Sequence, residues 1–151
     1  MIKETINKYL GHFLVFLMAV ITLVVLWGVF TRYALQSQAS WSEELARFLL
    51  IWIGILGAAY ASGQKMHLAI DLLKPKLEEQ KRERLSIFIN LLIIFFVLSV
   101  MVIGGGRLMY ITNVLGQISP AMNIPMSLVY SVIPLSGILI LYYKITDLRH
   151  V

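Results

Sequence analysis

Few residues in this chain are placed for chemistry. Glu43 and Arg47 stand four apart, an order that favours a modest ion pair on one helix face, and Glu44 lies beside them. His67 and Asp71 are also four apart, so on a helix they would share a face and offer two metal ligands. No further ligand lies near them, and no metal is expected. His12 falls one turn into an apolar stretch, where a histidine can relay protons. That stretch holds no acidic partner, so an interfacial anchor is the expectation. Cysteine is absent, which removes disulfides, thiol redox chemistry and cysteine-based metal sites. There is no glycine-rich phosphate loop, nucleophile elbow or paired-carboxylate arrangement. Neither an enzyme nor a cofactor-binding protein is expected.

The elements that must carry these residues are membrane spans. Of the 151 residues, 59% are hydrophobic and 14% charged, with a mean hydropathy of +0.81. A soluble domain has roughly 45–50% apolar and about 25% charged residues, so the excess here calls for lipid as solvent. Four charge-free apolar stretches are each long enough to cross a hydrocarbon core of roughly 30 Å at about 1.5 Å per helical residue. The expected fold class is an all-α integral membrane protein, one domain over 1–151, with spans near 10–31, 41–64, 84–106 and 124–143. A cleaved leader is not expected, because the first apolar run is too long and Arg32-Tyr33-Ala34 offers no small-residue cleavage site.

Orientation follows from the basic residues. With the N-terminus inside, the inner side carries Lys3, Lys8, Lys65, Lys74, Lys76, Lys81, Arg82, Arg84, Lys144 and Arg149, and the outer side only Arg32, Arg47 and Arg107. Loops this short obey the positive-inside bias, so both termini are expected in the cytoplasm. The same placement explains the net charge of +5 without nucleic acid as a partner.

The connections carry local signals. Ser40-Trp41-Ser42-Glu43 reads as a capping box, with Ser40 as the cap and Glu43 reaching back to its amide. Pro75 interrupts the longest, inner connection. Gly104-Gly105-Gly106 before Arg107 fits either a hinge or close-packing notch, or the end of the third span. Pro134 should kink the fourth span and free a carbonyl. Trp41, Tyr9, Tyr33, Tyr142 and Tyr143 suit an interfacial belt, whereas Trp52 lies deeper.

Solitary ion-coupled transport needs an ionisable group at membrane depth. No span has one near its middle. The polar residues there (Thr22, Ser62, Gln64, Asn90, Ser99, Ser131 and Ser136) are mostly of kinds that bond their own backbone or a neighbouring helix. A self-contained four-helix exporter working as a homodimer is the competing reading. It would want a carboxylate in its first span, and none occurs between Leu10 and Phe30.

The run from Trp41 through Glu43, Glu44, Arg47 and Trp52, continuing by Gly54, Gly57 and Ala58 to His67-Leu68-Ala69-Ile70-Asp71, resembles the signature of the DctQ-type small membrane subunit of TRAP transporters. Ser119-Pro120-Ala121-Met122-Asn123-Ile124-Pro125, leading to Tyr130 and Pro134, resembles a second, weaker family segment. The family often has a basic residue before its histidine segment, and Lys65 occupies that neighbourhood. The resemblance implies a non-catalytic scaffold in a sodium-coupled carrier of organic acids such as C4-dicarboxylates or sialic acid. Its partners would be a large DctM-type membrane subunit, a periplasmic substrate-binding protein and membrane lipid. It also implies subunit or docking contacts at Trp41, Glu43, Glu44, Arg47, Arg107, Ser119, Pro120 and Pro125, and a structural inner turn at Lys65, His67 and Asp71.

Overall fold

A computed structural model describes residues 2–37, 39–64 and 79–148. Four long helical rods account for nearly all of them, each long and apolar enough to cross a membrane. The first is α1 (Ile2–Ala34) and the second α2 (Ser40–Gly63). The third begins as α3 (Glu79–Phe96), widens into π-helical turns over Val97–Gly104 and resumes as α4 (Gly105–Val114). The fourth is split into α5 (Met126–Tyr130) and α6 (Val132–Leu148).

The third rod does not end at the glycine triplet. Gly104 and Gly105 keep helical dihedrals of −63°, −47° and −64°, −41°, and the helix passes Arg107 to reach Val114. Gly105 is instead a packing notch. A Cβ there would lie 2.7 Å from Ile133 Cγ2 and 3.2 Å from Pro134 Cδ, whereas one at Gly106 would meet nothing within 4 Å. Of the two readings, helix termination is overturned and close packing holds at one glycine of the three. The fourth rod breaks at Ser131, three residues before Pro134. Proline has no N–H for the Tyr130 carbonyl, and the ladder restarts with the Leu135 amide donating to the Ser131 carbonyl at 3.3 Å.

Small residues set the approach of α1 and α2. A Cβ on Gly28 would stand 2.8 Å from Ser42 Oγ, and one on Gly63 would stand 2.7 Å from Asn7 Oδ1 and 3.0 Å from Tyr143 Cε2. These contacts fix α1 and α2 antiparallel and bring α6 against both. The buried centre joins Leu10, Leu17, Leu56, Ala59, Val97, Val132 and Ile140. Outward faces remain apolar: Leu23, Phe88 and Phe95 are 64–74% exposed. In lipid this costs nothing, because hydrocarbon solvates such side chains as well as a neighbouring helix does.

The start of α1 and the end of α6 meet at one end of the bundle, where Lys3 Nζ pairs with Asp147 Oδ1 at 2.6 Å. Lys3 also stands 5.7 Å from the centre of the Tyr143 ring. Residues 35–37 and the connection over 115–125 occupy the far end.

Candidate docking face and its buried carboxylate

At the far end, α2 starts differently from the capping-box expectation. The cap is Ala39, in an extended conformation and without a side-chain cap bond. The helix begins one residue early, so Ser40 already takes a helical position, from which its hydroxyl does not serve the first-turn amides. Ser42 turns back instead, its amide and Oγ both donating to the Ala39 carbonyl at 2.9 and 2.7 Å.

The connection after α4 is a tightly built loop. Gly116, at φ +59°, ends the helix in the left-handed conformation that glycine tolerates best. The Gln117 amide then returns to the Thr112 carbonyl at 3.0 Å. Ser119 is fully buried; its amide donates to the Ile124 carbonyl at 2.9 Å, and its Oγ accepts from the Ile124 amide at 3.3 Å. Asn123, at φ +54°, closes one unfinished helical turn by donating to the Ser119 carbonyl at 3.0 Å. Ile118 pairs antiparallel with Pro125, which caps α5.

Such a turn leaves its first amides pointing outward without backbone partners. Ala121 and Met122 are those amides, and both donate to Glu44 Oε2 at 2.9 Å. Glu44 is only 8% exposed, so its charge is held in a polar nest rather than in water. The carboxylate therefore pins the loop onto α2.

The other sequence-predicted positions are distributed around this joint. Ser40, Glu43, Glu44, Arg47, Pro120 and Ala121 line a small cleft of about 340 Å³. Pro120 and Pro125 are exposed, as is Trp41 at 42%. Arg107 does not join them: it is exposed on α4, seven residues before the helix end at Val114, or about 10 Å along the rod. Lys65, His67 and Asp71 lie outside the described residues. Among the described residues no cluster of three or more potential metal ligands occurs.

Away from the far end, His12 Nδ1–H donates to the Lys8 carbonyl at 2.7 Å, a local bond suited to an anchor. Thr22, Ser99, Ser131 and Ser136 hydroxyls bond carbonyls three or four residues back, the self-satisfaction expected of them. Trp52 was not foreseen as a tie: its Nε1–H donates to the Val129 carbonyl at 3.1 Å, clamping α2 to the break in the fourth rod. The signal was available, since an indole at depth must place its N–H and Pro134 interrupts a nearby carbonyl ladder.

Residues 21–151 match the family described as the DctQ component of tripartite ATP-independent periplasmic transporters. A Haemophilus influenzae chain named as a TRAP transporter small permease protein is 28% identical over 143 residues, 95% of this chain and 87% of that one. The sialic acid TRAP transporter small permease protein SiaQ of Vibrio cholerae is 31% identical over 104 residues, 69% and 60% of the two chains. The sialic acid TRAP transporter permease protein SiaT of Haemophilus influenzae is 34% identical over 65 residues, 43% of this chain but 11% of that much longer protein. With four apolar rods and a match over most of its length, the chain belongs to the DctQ family: it is a small permease subunit of a TRAP transporter, a multi-pass protein of the bacterial inner membrane and not an enzyme.

Proposed function

We propose that this subunit is the scaffold of a sodium-coupled tripartite carrier for organic acids, bracing a large DctM-type membrane subunit and helping to dock a periplasmic substrate-binding protein. The termini lie in the cytoplasm in this reading, and the far end faces the periplasm. The observation that carries it is the Glu44 joint. The best-buried acidic side chain among the described residues holds a loop in shape, while the hydroxyls of Thr22, Ser99 and Ser136 bond their own backbone. A chain that commits its polar groups this way is suited to holding partners, and the sodium and substrate sites belong to the large subunit.

Trp41, Glu43, Arg47, Pro120 and Pro125 then form the outer contact face. Glu44 and Ser119 act as positioning residues behind it, and Arg107 contacts the large subunit lower down. The inner turn of Lys65, His67 and Asp71 has a structural role. The similarity to a segment of a much longer permease supports a large neighbour, since such a segment can be joined to one on a single chain. Substrate choice rests with the binding protein and large subunit, so C4-dicarboxylates and sialic acid are both compatible with this chain.

The test is purification of the tagged chain from its native membrane in mild detergent, followed by mass spectrometry. Near-stoichiometric recovery of a larger polytopic membrane protein is expected. Recovery of the chain alone as a homodimer overturns the scaffold reading in favour of a self-contained exporter.

A further inference from the structure

A second cleft of the far end opens between α1 and α2 and shares Glu43 and Arg47 with the cleft beside the pinned loop. It measures about 540 Å³ and is lined by both helices. Its floor is Val24, Val25 and Val29, and its charged wall is Arg32, Arg47 and Glu43. Gly28 lies on the same wall, its missing side chain leaving room for Ser42. The register set by Gly28 and Ser42 places the two arginines at different depths. Arg32 lies four residues beyond Gly28 towards the far end, and Arg47 five residues beyond Ser42 in the other direction. Their backbones are therefore about 13 Å apart along the helices, with the valines between them.

This is a layered site. Two guanidiniums against one carboxylate leave a net positive wall, and guanidinium forks match phosphate oxygens better than any other side chain does. Val25 and Val29 are about half exposed, so the floor offers apolar surface to a chain-like ligand. The level also fits: Arg32 is twenty residues beyond His12 on α1, about 30 Å, the thickness of a hydrocarbon core. A free anion has no use for the valines, and a partner carboxylate would not fill the cleft. A phospholipid uses both layers.

We propose that this cleft binds an anionic phospholipid, its phosphate held where Arg32, leaning down α1, and Arg47, leaning up α2, converge, and an acyl chain below it along Val24 and Val25. The cleft shares Glu43 and Arg47 with the docking face, and it gives Arg47 a role on the α1 side of α2.

The test is native mass spectrometry of the full chain released from nanodiscs of phosphatidylglycerol or phosphatidylcholine. Wild type should retain phosphatidylglycerol at least ten-fold over phosphatidylcholine. Arg32→Gln with Arg47→Gln should bring retention down to the phosphatidylcholine level. Val25→Trp, which fills the floor and leaves the charges alone, should do the same, and it decides the question if the double variant fails to insert. Lys8→Gln, at the other end of α1, should change nothing. Equal retention of the two lipids, or phosphatidylglycerol retention that survives Val25→Trp, overturns the proposal. So does loss of the lipid from wild type whenever a larger permease co-purifies, because the cleft is then a protein interface.

Discussion

One oxygen of Glu44 stands 2.9 Å from the amide nitrogen of Ala121, 77 residues further along the chain, and the same oxygen takes the next amide, that of Met122. An acceptor shared by two successive amides resists twisting of the loop as well as its departure from α2. Hydrogen bonds to a charged group contribute about 1.5–3 kcal/mol each when the partners are shielded, so Glu44→Ala should cost about 2 kcal/mol once water reaches the freed amides. Glu44→Gln keeps an acceptor oxygen without the charge and should cost roughly half as much. Amide hydrogen exchange at Ala121 and Met122 reports this directly. Protection at wild-type level in Glu44→Ala would show that the loop holds its shape unaided.

The loop tip should separate docking from assembly. Ala121 is exposed while its amide faces Glu44, so Ala121→Trp adds bulk outward without removing the bond. Uptake in cells should fall several-fold while co-purification of the large subunit stays at wild-type level. Unchanged uptake removes the loop from the docking face, and lost co-purification assigns it to the subunit interface.

Glycines 105 and 106 should respond to alanine with opposite signs. At Gly105 the new methyl would meet Ile133 and Pro134, and overpacking of this kind costs about 1–3 kcal/mol. At Gly106 it would meet nothing within 4 Å, and the better helix former should stabilise by up to about 1 kcal/mol. Thermal unfolding of the two variants in one detergent is the measurement. A shift of the same sign in both would mean that backbone propensity, not contact with the fourth rod, governs this triplet.

What the sequence made legible is whatever depends on local pattern. Apolar run length places the four rods, and the placement of the basic residues suggests which end is inside. The capping-box motif at Ser40 misled because the observed start, one residue earlier with Ala39 as cap, has no capping signal of its own, and tertiary packing of Ser42 against Gly28 accompanies it. The triplet could not be resolved because three identical residues in a row have different neighbours on each side of the helix. Glu44 was picked out beside Glu43, yet nothing local separates an inward carboxylate from an outward one. Its partners are backbone amides 77 and 78 residues away, and amides leave no mark on a sequence.

Trp52 should be a modest stabiliser. Trp52→Phe keeps an aromatic ring and removes the donor to the Val129 carbonyl. The loss should be about 1 kcal/mol, because the orphaned carbonyl has no water to turn to at that depth. Denaturant unfolding in detergent micelles, compared with the exposed control Trp27→Phe, checks it. Equal effects of the two substitutions would mean that ring size alone matters at position 52.

Orientation can be read chemically because the chain contains no cysteine, so any introduced thiol is the sole label site. The Lys3–Asp147 pair holds the two ends together at one end of the bundle. Thr5 and Ile145 are exposed near that pair, and Ser37 and Gln117 are exposed in the far connections. In intact spheroplasts a membrane-impermeant maleimide should label Ser37→Cys and Gln117→Cys, and label Thr5→Cys and Ile145→Cys only after lysis. The reverse pattern would leave the helix arrangement intact and invert the docking face, placing the Glu44 loop in the cytoplasm beyond reach of any periplasmic protein. Labelling of Thr5 and Ile145 from opposite sides would contradict the Lys3–Asp147 pair itself, and with it the even number of crossings on which the proposed assembly depends.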